Sequence, residues 1–329
     1  MRKPGVRSIC PQKARRATGV DPQGAIEQRV QAEGAAFRAG AVSQVMSRQA
    51  TITLCADDYG LTYGVSRGII EALDAGRLSA VSALVTGPRW PALGHELMRR
   101  GFDADIGLHL NLTLGKPLGP MPKLAKDGVF PPIRELVRAA QKGKLPLEEI
   151  RAEISRQLDR FEAVTGRPPD FVDGHQHVQV LPHVREELLE ELAQRGLKGR
   201  CWLRDSGDAL PRILARGAQI KKALILRHLA QGFARDARRA GFEVNRGFSG
   251  FSDFRPGTDY GKQFASYLRA RGPRHLLMCH PGHVDAELRE LDPVTVTREQ
   301  ELAFLLSPRF EATLARKGLK LGRLLASAA

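Results

Sequence analysis

No apolar run in this 329-residue chain approaches the roughly 18–20 residues that span a bilayer. The first residues also lack the apolar stretch and small-residue cleavage site of a secretory signal. Both absences argue against a membrane-spanning or exported protein, and the expectation is a cytoplasmic one. Cysteine is scarce: Cys10, Cys55, Cys201 and Cys279 are scattered without CxxC spacing, which excludes a disulfide framework and predicts reduced thiols. Aromatic residues make up 6% of the chain, and no basic stripe is interleaved with them as base stacking requires. The formal charge of +15 therefore does not read as a nucleic-acid surface. Residues 1–50 hold nine Lys or Arg against three Asp or Glu, so six of those charges fall in the first fifty residues.

What is present is enough apolar material, 42% of the residues, to bury one large core. Residues 1–48 show little apolar periodicity beyond a weak helical pattern at 25–36 and are read as a disordered extension. A second reading places the natural start at Met46. Residues 49–329 are read as a single domain. From Thr51 onward short β-branched or apolar runs alternate with longer segments of helical period, the signature of parallel βα units. Strands are expected at 51–56, 80–85, 105–110, 171–174, 200–203, 242–248 and 275–279, with helices such as 64–75 and 147–164 closed by Gly76 and Gly166. Seven such units predict a barrel-like parallel sheet wrapped in helices. The Pro-, Gly- and Lys-containing stretch from Gly115 to Pro146 interrupts the alternation and is expected to form a loop or flap beside the site.

Asp57–Asp58, His109, His175 and His280 each come at or just after the end of an apolar strand run. In parallel α/β folds the carboxyl ends of the strands open onto one face, so four distant segments deliver carboxylates and imidazoles to one rim. Neighbouring residues on an extended chain point in different directions, so one acid of the Asp57–Asp58 pair can bind a metal while the other faces substrate as a base. An Asx turn capping the next helix would use the same residues. His109, alone among apolar residues, also suits a hydrogen-bonded core position. The Asp173-Gly174-His175-Gln176-His177 segment carries an acid and two imidazoles within five residues. An Asp/His/His set leaves positions open for water and substrate, as catalytic sites require, with Asp173 and His177 as supports behind the ligands. A loop of solvated histidines is the plainer alternative. His280, on the last strand, suits protonation of a leaving amine, whereas His283 falls further along the loop.

At these motifs, ADDYG, GLHLNLTLGKPL, DGHQHVQ and CHPGH, the chain resembles the YdjC-like carbohydrate deacetylases. That family includes chitooligosaccharide deacetylases and the hopanoid-associated HpnK-type deacetylases. The resemblance implies a seven-stranded parallel (β/α) barrel of the polysaccharide-deacetylase-like type with one divalent ion, magnesium or zinc. Carried over residue by residue, Asp58, His109 and His175 correspond to the metal ligands and Asp57 to the base; His280 as the acid rests on its place at the last strand. The family often has a further histidine where this chain has Gln179. A metal-dependent removal of acetyl from an N-acetylated amino sugar is implied, with an acetylated sugar as partner, no nucleic acid, and a homodimer as the expected assembly. Arg204 and Asp205 either orient His280 or the sugar, or form a surface ion pair. Another metal-assisted hydrolysis and a non-catalytic sugar-binding role use the same ligand set and stand as alternatives.

Overall fold

The computed structural model describes residues 49–325. The extension expected over 1–48, the helical pattern at 25–36, Met46 and Cys10 lie outside the described residues.

Nine strands form one sheet: β1 (Ala50–Tyr59), β2 (Ala80–Ala83), β3 (Asp105–Leu110), β4 (Phe171–Gly174), β5 (Trp202–Leu203), β6 (Glu243–Val244), β7 (Phe248–Ser249), β8 (His275–Cys279) and β9 (Leu319–Leu321). Their order is β6-β5-β4-β3-β2-β1-β8-β7, with β9 beside the start of β1, and every ladder is parallel. Connections between parallel strands must cross over, and helices supply them. The first four are α1 (Tyr63–Asp74), α2 (Trp90–Arg99), α3 (Ile133–Gln141) and α4 (Leu147–Thr165). Then come α5 (Val184–Gln194), α6 (Leu210–Arg216), α7 (Ile220–Leu229) and α8 (Phe233–Arg239). The chain closes with α9 (Tyr260–Tyr267), α10 (Ala286–Leu291), α11 (Val296–Leu306) and α12 (Pro308–Arg316). Thr62 caps α1 by accepting from the Val65 amide, and Gly166 ends α4 in the left-handed region at φ 71°.

The parallel barrel architecture anticipated from the alternation is present, with one more strand along its path than the seven expected. The run at 242–248 is broken into β6 and β7 because the Asn245 amide is diverted sideways. Its Oδ1 accepts from the Asp205 amide at 2.7 Å, and its Nδ2 donates to the carbonyls of Asp205 and Gly247 at 2.9 and 3.0 Å. Gly247 then turns at φ 132°, where an added Cβ would sit 2.4 Å from His275 Nδ1. Among the described residues no ladder joins β6 to β7, so the barrel is open at that seam. β9 has only three residues and passes unnoticed in the sequence.

The 115–146 stretch is not a free flap. It contains α3, buries Met121, Phe130, Leu136 and Ala140, and is tied to α4 through side chains. Glu153 accepts from the Leu118 amide at 3.0 Å, and Gln157 bonds both the amide and the carbonyl of Asn111 at 3.0 and 2.7 Å. The larger core lies between sheet and helices, around Leu54, Ile69, Leu108, Ile154 and Leu188. A smaller one fills the barrel with Cys55, Phe171, Trp202, Phe248, Leu276 and Met278, and Phe171 stacks on Trp202 at 4.2 Å between ring centres. Cys55, Cys201 and Cys279 are buried free thiols.

Candidate metal centre and active site

Side chains alternate along a strand, so a polar residue two places beyond an inward apolar one faces the same interior. Cys55 and Asp57, Phe171 and Asp173, Trp202 and Arg204, and Met278 and His280 are such pairs, each led by a residue of the inner core. Asp58 breaks the alternation. The register of β1 against β2 shifts between Ala56 and Tyr59, and Asp58 takes the left-handed conformation at φ 71°. This bulge turns Asp58 into the same pocket as Asp57, at a backbone cost of about 1–3 kcal/mol. Adjacent acids on a regular strand would have faced opposite ways. Gln176 and His177 are likewise left-handed, at φ 53° and 63°, in the short 3-10 turn that carries His175 from the end of β4.

Asp58 Oδ1 lies 3.4 Å from His109 Nε2 and 3.1 Å from His175 Nδ1, and the three ligand atoms fall within 4.8 Å of one another. Ligands of a tetrahedral ion with bonds of 2.0–2.1 Å stand about 3.3 Å apart, so this donor set fits a divalent cation. His109 Nδ1 is 2.7 Å from Asp173 Oδ1, which fixes the proton on Nδ1 and directs Nε2 at Asp58. Ser82 Oγ donates to the same Asp173 oxygen. Burial pulls the His109 imidazole down, yet Asp173, Asp58 and Asp57 together lift it to about 10; a cation at Nε2 takes the place of that proton. Asp58 is held well below the carboxylate range: burial opposes its charge, and Arg298 and the two histidines outweigh burial. Arg298, fully buried on α11, reaches Asp58 Oδ2 at 2.7 Å and Asp292 at 2.6 Å. One oxygen of Asp58 is thereby occupied, and the other faces His109 and His175.

Cys55, Asp57 and Asp173 also converge within 4.8 Å, but that position already holds a cation, the Arg204 guanidinium. Arg204 is wholly buried; it grips both oxygens of Asp57 at 2.6 Å, pairs with Asp173 at 2.5 Å and lies 3.1 Å from Cys55 Sγ. Burial alone would raise the Asp57 carboxyl; Arg204 brings it down to about 2, so Asp57 is ionised throughout the neutral range. Of the readings offered for Arg204 and Asp205, the surface ion pair is corrected, because Arg204 is buried on Asp57. The two side chains point apart, and Asp205 lines a separate groove that Asp57 does not reach. Inward alternation from Trp202 was the sequence signal for Arg204.

His280 Nε2 is 4.0 Å from Asp57 Oδ2, its ring packs edge-on against Phe254, and its buried Nδ1 has no partner among the described residues. Burial lowers its imidazole below the ordinary value. Its backbone amide donates at 2.7 Å to Glu301, a buried carboxyl raised to about 7 by desolvation, which no strand-end pattern could have revealed because it sits on α11. His177 faces the pocket too; it lies 3.0 Å from Ser206 and packs against Phe248 and Phe251, and burial keeps it neutral with a value near 3. Gln179 bonds the Arg204 carbonyl at 3.0 Å and Ser206 at 3.1 Å, pinning β4 to β5 instead of facing the cation ligands. His283 pairs with Glu71 at 2.9 Å on the outside of the site. Together Asp57, Asp58, His109, His175 and His280 share a cavity of about 400 Å³, whose walls include Leu114, Ile133, Phe251, Phe254 and Lys222.

The sequence matches the family described as YdjC-like protein over residues 51–316. A chitooligosaccharide deacetylase of Salmonella schwarzengrund (strain CVM19633) is 33% identical over 281 residues, covering 82% of this chain and 96% of that relative. One from Escherichia fergusonii is 31% identical over 279 residues, covering 81% and 95%. A crystal structure from Enterococcus faecalis V583, provisionally assigned to cellobiose-phosphate cleavage, superposes with a TM-score of 0.63 at 22% identity, over 84% of this chain and 98% of that one. That likeness concerns the fold.

Proposed function

This chain belongs to the YdjC-like family, and from that premise we propose that it is a metal-dependent carbohydrate deacetylase. It would hydrolyse the acetamide of an N-acetylated amino sugar, releasing acetate and the free amine. The observation that carries this reading is the meeting of Asp58, His109 and His175 at ligand distance beside an ionised Asp57. No described helix is long and apolar enough to cross a membrane.

In this proposal Asp58, His109 and His175 hold one divalent ion, and two imidazoles with one carboxylate favour zinc over magnesium. When bound, the ion supplies Lewis acidity toward the acetamide carbonyl and toward water. Asp57 accepts the proton of the attacking water, and Arg204 keeps that carboxylate in place and ionised between turnovers. His280 delivers a proton to the departing nitrogen; its unpartnered Nδ1 and neutral resting state leave it free to take one up. Phe251 and Phe254 offer faces for a sugar ring, and Lys222 a donor for its hydroxyls. Activity is assigned to residues 49–329, with 1–48 as a dispensable extension, and the assembly to a homodimer that light scattering tests.

The deciding experiment is acetate release from N-acetylglucosamine oligomers by metal-stripped protein reloaded with zinc, magnesium, manganese or cobalt. Asp57→Asn and His280→Ala should each lose about 10²–10⁴-fold in rate. Full activity in both would overturn the proposed roles, and phosphate release from phosphoesters in place of acetate would favour another hydrolase. Sugar binding without turnover would make the protein a lectin-like binder.

A further inference from the structure

A second concavity, about 740 Å³, opens on the far side of α7 and shares no lining residue with the active-site cavity. Arg212, Arg227, Arg235, Arg238 and Arg246 line it, against the carboxylates of Asp205 and Asp208. Five positive groups against two negative leave a charge of +3 on its walls. Asp208 is also paired with the buried Arg216 at 2.5 Å. Arg212 reaches that same acid at 3.3 Å, and Arg235 pairs with Asp236 at 2.9 Å. The other three have no carboxylate partner among the described residues. Among the described residues Arg227 donates only to the Asp208 carbonyl at 2.9 Å, and the side chains of Arg238 and Arg246 make no hydrogen bond. Asp205 is near enough to Arg238 and Arg227 to feel their charge but makes no ion pair with either, and its Oδ1 accepts from the Gly207 amide at 2.9 Å.

Guanidinium groups crowded round a hollow without counter-charges repel one another, and the arrangement becomes favourable when an anion enters. Each planar fork matches two oxygens of a phosphate, and the three unpaired arginines come from different places, α7, α8 and the β6–β7 turn. The hollow is also larger than an inorganic phosphate needs. We propose that this groove, walled by Arg227, Arg238 and Arg246, is a binding site for a phosphate-bearing small molecule, separate from the active centre. The two sites share α7 as a wall: Lys222, Ile225 and Leu226 face the active-site cavity, and Leu224, Arg227 and His228 face the groove.

Calorimetric titration of the full chain with inorganic phosphate, pyrophosphate and ADP at constant ionic strength tests the assignment. Saturable binding of at least one probe is expected, weakening as salt is raised. Arg238→Ala/Arg246→Ala should lower that affinity at least about tenfold, the loss of two charge-assisted contacts. Both side chains are exposed, so the fold should survive, which circular dichroism checks. Asp58→Asn and Lys222→Ala, changed in the other cavity, should bind as the parent does. No saturable binding of any probe, undiminished binding by the double variant, or loss of binding in Asp58→Asn or Lys222→Ala would each overturn the proposal. Retention by ADP alone points to a nucleotide ligand, and equal binding of all three probes to recognition of the phosphate itself; either supports the site.

Discussion

Arg298 Nη2 stands 2.7 Å from Asp58 Oδ2, so a fully buried guanidinium holds one oxygen of the carboxylate whose other oxygen faces both histidines. Removing one partner of a buried ion pair costs about 3–5 kcal/mol because the other charge is stranded. Arg298→Met should therefore destabilise the metal-free protein by about that amount, leaving Asp58 and Asp292 without their shared guanidinium. A divalent ion would resupply positive charge at Asp58. Thermal melts with and without zinc should show a larger zinc-induced rise in Tm for the variant than for the parent.

Arg204 plays the corresponding part for Asp57. Arg204→Met would leave Asp57 and Asp173 without their shared cation, and burial would then push the Asp57 carboxyl upward from about 2. The acidic limb of the pH profile for deacetylation should move to higher pH, where protonated Asp57 can no longer accept from water. Arg204→Lys keeps the charge but not the two-pronged grip, and should fall between the two in rate.

Glu301 gives a stability prediction with a definite sign. Its folded value of about 7 lies above the ordinary 4.5, so between those pH values the folded chain holds a proton that the unfolded chain has lost. Stability from this group is therefore present at low pH and declines as pH rises from about 4.5 through about 7. Glu301→Gln still offers an oxygen to the His280 amide and cannot ionise. Urea melts across that window should show a flatter pH dependence for the variant.

Gly107, inside the GLHLNLTLG segment, leaves room for the Phe171 ring: an added Cβ would lie 2.5 Å from three of its carbons. Phe171 is itself stacked on Trp202 and cannot retreat freely. Gly107→Ala should cost about 1–3 kcal/mol through overpacking and disturb His109 two residues on. Denaturant melts measure the first effect and chelator competition for the bound ion the second.

The three candidate ligands were legible because each sits where a hydrophobic run ends, and in a parallel sheet those ends share a face. The bulge at Asp57–Asp58 was not. Alternation alone sends adjacent acids to opposite faces, and only the left-handed Asp58 backbone brings both inward. Arg204 was visible as a residue two beyond Trp202, but its charge suggested the surface, since a buried arginine is explained only by partners drawn from β1 and β4. Arg298 and Glu301 belong to α11, more than 200 residues from Asp58 in sequence, and helical periodicity says nothing of which acid or amide each would meet. The break between β6 and β7 depended on the Asn245 side chain replacing ladder bonds, a local choice that β-propensity does not register.

The placing of β1 between β2 and β8 has a consequence for how the domain is completed. Among the described strands β1 is made first and must wait for β8 and β9, which pair with Ile52 through His275 and Leu321. Until about 220 residues beyond Tyr59 have been synthesised, the flank that β8 covers stays unzipped and open to foreign edges. Asp57 and Asp58 ride on this late-completed strand, so fragments that stop short of Cys279 would carry both acids without the neighbouring strand that shapes their pocket.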